Sequence, residues 1–348
     1  MNGISKSTGL FFDNTRVSSY FECPRQYFFR HVMHLTFPGS SPALAFGSGW
    51  HGGLDEIWLH AKDPCDDGQL LKMAITNFGS KWVEAGFEIT PDVNLDEKRN
   101  PGLALDMFAE YITKYRSFIK KYEVIAVEQP FVIPIIEANT MYDGQPPVFY
   151  IGRWDKVYRD NGRVYIREHK TTSLYRKVGN FAAEWTASFS PNNQVDGYSF
   201  AGVAVFGDEF KGVMVEGALV HKTVRAFTLL PITRSMVNLD AWVWEVRYWL
   251  NEILENTMMA EACGTEQEFL QAFPKRTEHC QYKYGLCPYL DLCKYGDANP
   301  LRMSTPDNFI ESAWDPFDHN MTGAENPYII GSGGSVHPTT GIPEEYDG

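Results

Sequence analysis

The sequence predicts an α/β fold, and three observations carry that prediction. Helical spacing dominates the first third of the chain and gives way at Glu123 to a period of two, where EVIAVEQPFVIPII alternates like a strand. The stretch from Val148 to Thr172, VFYIGRWDKVYRDNGRVYIREHKTT, reads as two strands around Asn161-Gly162, the dipeptide that most readily supplies both positive-φ residues of a type I′ turn. Helical spacing then returns over residues 180–207, ahead of two further strands, GVMVEGALVHK and RAFTLLPI.

Residues 15–35 are expected to be helical and aromatic-rich, with Ser18 or Ser19 as N-cap and a break at Pro24. FPGSSPAL is a loop. AFGSGWHGGLDEIWLHA begins with glycines and runs into a helix carrying Leu54, Ile57 and Trp58, with His51 near its start, where a histidine more often caps or packs than binds a ligand. Residues 66–121 are mostly helical around the polar loop PDVNLDEKRNPG. Their last part, LALDMFAEYITKYRSFIKKY, is amphipathic. Within 180–207, Gln194 and Tyr198 are four apart and share a helical face, although Tyr198 could equally be core. SMVNLDAWVWEVRYWLNEILENTMMAEA is a long helix with a core stripe of Trp242, Val246, Trp249, Leu250 and Ile253. Cys280, Cys287 and Cys293 then fall within fourteen residues. The remainder is rich in proline, glycine and acid, and its last twenty residues are expected to be disordered.

The chain of 348 residues has material for one large domain or two ordinary ones. No apolar run approaches the ~20 residues that span a bilayer, and MNGISKSTGL lacks the layout of a signal peptide. The expectation is a cytoplasmic protein with no membrane partner. In that compartment the six cysteines suit a metal site or buried thiols better than disulfides. A net charge of −13 argues against tight non-specific binding to nucleic acid. It is uneven, however: residues 297–348 hold nine acids and one arginine, a net of −8, which leaves −5 for residues 1–296. Local basic groups are available in Arg16, Arg25 and Arg30, which could also be a solvated helix face, and in Arg153, Lys170, Arg176 and Lys177.

The hairpin is where chemistry concentrates. With Asn161-Gly162 as its loop, Asp160 faces Arg163, Asp155 faces Glu168 and Arg153 faces Lys170, provided no bulge breaks the register. Facing acids about 5 Å apart repel, so a cation belongs between them. A divalent ion on oxygen ligands suits the spacing. A surface hairpin with a cross-strand Arg–Glu or Lys–Asp pair is the alternative.

Taken together, these stretches resemble the RecB-like branch of the PD-(D/E)XK nuclease superfamily, in particular its iron–sulfur exonucleases related to CRISPR-adaptation and bacterial recombination nucleases, phage-encoded ones included. The resemblance runs from about Val17 to Cys293. It rests on Cys23 in SSYFECPRQYFF, His51 in FGSGWHGGL, Gly152-Arg153-Trp154-Asp155 as Gly-x-x-Asp, Glu168-His169-Lys170 as E-x-K, Gln194 and Tyr198 as Gln-x-x-x-Tyr, and the closing Cys280, Cys287 and Cys293. Trp154 stands where the superfamily's name has proline, and six residues between Cys280 and Cys287 exceed the shortest family gap.

The resemblance implies a restriction-endonuclease-like core over residues 1–296, a mixed sheet flanked by helices. It further implies a helical insertion at 52–121 and an iron–sulfur region at 263–296 that staples onto Cys23, followed by an acidic, largely disordered tail at 297–348. Mg²⁺ or Mn²⁺ would sit on Asp155, Glu168, the His169 main-chain carbonyl and His51, the imidazole favouring Mn²⁺. Lys170 would orient water or stabilise developing charge, with Gln194 and Tyr198 positioning Lys170 or the scissile strand. Cys23, Cys280, Cys287 and Cys293 would hold a [4Fe–4S] cluster, although four thiolates also suit zinc, and Cys65 and Cys263 are expected to be ordinary buried thiols. The implied activity is a metal-dependent DNA exonuclease at single-stranded or duplex ends in recombination, repair or end processing, alongside a recombination or helicase partner, in the host cytoplasm if phage-encoded. A structure-specific endonuclease and a non-catalytic DNA-end-binding subunit are the alternatives.

Overall fold

The computed structural model of the chain describes residues 9–89, 99–140, 143–263, 271–282, 285–295, 308–315 and 328–329. Strand β1 (Leu10–Phe12) leads into α1 (Asn14–Glu22), capped by Asp13, whose carboxylate accepts the Arg16 backbone N–H at 2.8 Å. Ser18 and Ser19, the expected caps, lie inside that helix. The break falls where proline predicted it: Pro24 opens α2 (Pro24–Tyr27), and a π-helical turn over Phe28–Val32 precedes β2 (Leu35–Thr36).

Helix α3 (Pro42–His60) starts earlier than its glycines suggest, because Ser41 accepts the Leu44 N–H and Pro42 takes the first turn. His51 is therefore mid-helix. The glycines are not a turn; Gly49 and Gly53 leave room for the rings of Phe78 and Phe108, which a Cβ would strike. A capping box of Asp66 and Gln69 begins α4 (Asp67–Glu84), and Asn100 caps α5 (Pro101–Ile119). Most of the loop expected between them lies outside the described residues.

Strands β3 (Glu123–Ile136), β4 (Val148–Asp160) and β5 (Arg163–Thr172) follow. Asn161 and Gly162 take φ of 50° and 76°, as a two-residue loop of the expected type requires. The helix expected over 180–207 is instead broken. A small hairpin of β6 (Tyr175–Arg176) and β7 (Asn180–Phe181) precedes α6 (Ala183–Ala187), and Asn192, next to Pro191, caps α7 (Asn193–Phe206). Then come β8 (Phe210–Leu219), β9 (Phe227–Ile232) and α8 (Met236–Ala262). In α8, Trp242, Val246, Leu250 and Ile253 are buried as their spacing predicts, and Trp249 is half-buried.

The chain divides into two compact units. One comprises Met1–Pro38, Val132–Gly152 and Asp240–Gly323. In it β1 pairs parallel with the start of β4, Phe11, Val132 and Ile151 pack together, and Ile310–Glu311 pairs with β2. That pairing, and the strand Tyr328–Ile329 beside β3, put short ordered pieces inside the stretch expected to be a tail. Of the last twenty residues, for which disorder is expected, Ile329 belongs to that strand and residues 330–348 lie outside the described ones.

The other unit comprises Gly39–Phe131, Arg153–Leu239 and Ala324–Gly348. Its sheet runs β3-β4-β5-β8-β9. It is mixed, with β4–β5 and β8–β9 antiparallel and β5–β8 parallel across the crossover through α7. Helices α3, α4 and α5 bury one apolar cluster, in which Trp50 stacks on Phe108 at 4.5 Å and Tyr158 and Phe227 come from the sheet. This is the mixed α/β architecture that the sequence predicts. Among the described residues, no helix is long and apolar enough to cross a membrane.

Candidate active site and family

The hairpin register holds from Asp160↔Arg163 to Lys156↔Arg167, as the turn dictates. Asp155 is the next residue on β4, and its carboxylate replaces main-chain pairing there: Oδ2 accepts the His169 backbone N–H at 2.7 Å. Oδ1 lies 3.4 Å from His51 Nδ1 on α3. One ligand atom each from His51, Glu128 and Asp155 fall within 4.8 Å of one another, the only such group of three His, Cys, Asp or Glu residues among the described residues. Glu128 on β3 is unanticipated. Its φ of 51° is the left-handed region that a non-glycine residue enters at a cost. Its Oε2 meets Arg153 Nε at 2.8 Å.

Lys170 Nζ contacts Glu168 Oε1 at 2.5 Å and donates to Gln194 Oε1 at 2.9 Å. Gln194 Nε2 in turn donates to Tyr198 OH at 3.0 Å, and Tyr198 donates to the Arg153 carbonyl at 2.6 Å. The four-residue spacing on α7 thus becomes a relay from helix to strand. Lys156, adjacent to Asp155 and fully buried, places Nζ against Asp55 Oδ1, one turn beyond His51 on α3, and 3.9 Å from Glu128 Oε1.

Next to this cluster, His169 does not face Asp155 with its ring. Its Nδ1 lies 3.0 Å from Glu216 Oε2 on β8, close in distance but not aligned as a hydrogen bond. Glu216 also accepts from Tyr111 at 2.9 Å and pairs with Arg167 at 3.4 Å. Arg167 itself lies over the rings of Trp58 and Tyr158.

These contacts set the charge states. Burial opposes ionisation of His51, but Asp155 outweighs it and lifts the imidazole to about 9. Burial likewise opposes the Asp155 charge, yet His51 and Lys156 hold that carboxyl far below its ordinary range. Burial and the neighbouring Asp155 push Glu168 up to about 7, and the same two causes raise Glu128. Two buried carboxylate oxygens, Glu128 Oε1 and Glu168 Oε2, have no hydrogen-bond partner among the described residues. Imidazole nitrogen, carboxylate oxygens and buried acceptors without donors are the donor set that a divalent cation satisfies.

The other unit gathers the cysteines. Cys23, Cys280, Cys287 and Cys293 line one pocket with Gln26, Lys275, Arg276 and His279. No three of the sulfurs are as close together as the His51 group. The Arg276 backbone N–H points to Cys23 Sγ at 3.4 Å. Burial raises the Cys293 thiol to about 11, with Arg25 opposing and Cys23 and Cys287 adding to the shift. Arg25 is itself buried and donates to the Phe273 carbonyl, so of the Arg16, Arg25, Arg30 series only Arg30 is exposed, Arg16 being half-buried. Cys65 and Cys263 are half-buried rather than buried.

A sequence model of the PD-(D/E)XK nuclease superfamily matches residues 14–294. The chain belongs to that superfamily. PD-(D/E)XK nucleases are metal-dependent phosphodiesterases acting on DNA, and the group of His51 on α3, Glu128 on β3 and Asp155 on β4 could hold the metal ion that such chemistry needs. No curated protein matches the chain in sequence. Among solved structures, a protein from Eubacterium rectale thought to be an exonuclease is similar with 11% identity and a TM-score of 0.41, over 93% of this chain and 100% of that one. SSO0001 is similar with 11% identity and a TM-score of 0.27, over 75% of this chain and 85% of that one. At these levels neither likeness bears on activity.

Proposed function

We propose that this PD-(D/E)XK protein is a RecB-like deoxyribonuclease that hydrolyses DNA from single-stranded or duplex ends. Its setting would be recombination, repair or end processing in the cytoplasm, that of a host if the gene is a phage's. The observation that carries this reading is the convergence of the His51, Glu128 and Asp155 ligand atoms, with Asp155 bonded to the strand that bears Glu168 and Lys170. His51, Glu128, Asp155 and Glu168 would hold Mg²⁺ or Mn²⁺ together with the His169 carbonyl, the imidazole favouring Mn²⁺. When bound, the ion would acidify a water nucleophile and offset charge on the scissile phosphate. Lys170 supplies a fixed ammonium for the attacking water or the charge developing on phosphorus. Gln194 holds that ammonium, and Tyr198 ties Gln194 to the Arg153 carbonyl, so the relay fixes the position of Lys170.

Timed digestion of end-labelled single- and double-stranded DNA with Mg²⁺ or Mn²⁺ tests the reading. Asp155→Ala and Lys170→Ala should each lower the rate more than about a hundredfold while leaving a folded protein. Wild-type rates in either variant under excess metal would refute it. A circular single strand should survive, and its cleavage would instead favour a structure-specific endonuclease.

The four pocket cysteines support a second element of the proposal, a [4Fe–4S] cluster joining α1 to the carboxy-terminal segment, with the flanking basic residues offsetting thiolate charge. Anaerobically purified protein should be brown, with broad absorbance near ~400 nm. A colourless protein with one equivalent of zinc would replace the cluster by a zinc site.

A further inference from the structure

Every carboxylate around the His51 group already faces a cation built into the chain. Arg153 Nε meets Glu128 Oε2 at 2.8 Å, and Lys170 Nζ meets Glu168 Oε1 at 2.5 Å. Lys156 Nζ sits against Asp55 Oδ1, with Glu128 Oε1 3.9 Å away. Asp155 has His51. Around a bound ion, where a ligating imidazole is neutral and the carboxylates are ionised, Asp55, Glu128, Asp155 and Glu168 are opposed by Arg153, Lys156 and Lys170, and the protein's own charges sum to minus one.

One divalent ion would turn that to plus one, the complement of a single phosphodiester. Two would leave plus three in a region where Lys156 is fully buried and Glu168 is 2% exposed, and uncompensated charge out of water is costly. Lys156 also occupies the position between Asp55 and Glu128 from which both could reach a second ion. Resting on the metal-dependent reading above, we infer that the Lys156 ammonium replaces a second metal ion, so that this site takes one divalent cation where a two-metal centre would take a pair.

Native mass spectrometry and low-temperature EPR with Mn²⁺ as the probe test this without reference to catalysis. The wild-type chain should bind one Mn²⁺ and give the six-line signal of an isolated ion. Lys156→Met lowers the local charge to minus two and frees Asp55 and Glu128, and should bind two Mn²⁺ with an exchange-broadened signal. Adding Asp55→Asn restores minus one and should return the count to one. Lys156→Gln, which can still hydrogen-bond Asp55, serves if the methionine variant does not fold, and it too should bind two. A wild-type chain holding two ions or none, or a folded Lys156 variant holding one, overturns the inference. A wild-type chain that binds one Mn²⁺ and cuts no DNA upholds it while removing the nuclease reading.

Discussion

Glu216 has no part in holding the proposed metal, yet Arg167, Tyr111 and the His169 ring all turn to it. Glu216→Gln keeps the shape and removes the charge, leaving Arg167, 3% exposed, without its counter-ion. Breaking a buried pair costs about 3–5 kcal/mol. Urea melts should show a loss of that size, and a change under about 1 kcal/mol would mean the pair is screened as a surface pair is. At this scale the sequence was informative where spacing along one element decides the geometry. Asp155, Glu168 and Lys170 follow from a turn and a period of two, and Gln194 and Tyr198 from a helical repeat. Glu128 and Glu216 were not legible, although each is the one charged residue within an apolar run of its strand. What brings Glu128 to the site and Glu216 to Arg167 beside it is the neighbouring strand, which no local pattern names. Asp55 and Lys156 escaped for the same reason, since their pairing joins α3 to β4.

Helix α3 shows how an element can be found and misread. Its glycines suggest a turn, because glycine in a helix interior costs about 1 kcal/mol relative to alanine. Here the cost is offset by packing: Phe108 and the Ala74 carbonyl approach Gly53 too closely for a side chain. Gly53→Ala sets the two effects against each other. The propensity gain is about 1 kcal/mol, while overpacking costs about 1–3 kcal/mol. The expected outcome is net destabilisation in denaturant melts together with weaker Mn²⁺ binding, because His51 lies two residues away on the same helix. A more stable variant would show that the rings yield. The hairpin, by contrast, was legible from its turn as far as Lys156↔Arg167, since Asn161-Gly162 leaves one register open and buried strands do not slip; at Asp155 the side chain takes over from strand pairing.

At the scale of the whole molecule, alkaline pH should find its weak points in buried phenols. Burial raises Tyr20 and Tyr158 to about 12, against an ordinary value near 10 in the unfolded chain. A raised folded value means the stabilisation is complete below pH 10 and is lost as pH climbs through 12. Two pKa units correspond to roughly 2–3 kcal/mol per tyrosine. Thermal melts should therefore fall steeply between about pH 10 and 12, after the smaller loss that comes as His51 gives up its proton to reach neutrality near pH 9, and a profile level from about pH 10 to 12 would contradict the burial argument.

The parallel pairing of β5 with β8 has a consequence for synthesis. A chain emerging from the ribosome displays Glu168-His169-Lys170 well before Phe210–Leu219 exists to cover that side of the strand. Until β8 arrives, β5 presents an open row of peptide groups, the kind of edge that recruits other chains. Translation through α7 is the interval in which a chaperone would matter most. A stalled fragment ending there would carry every proposed metal ligand on a scaffold still prone to aggregate.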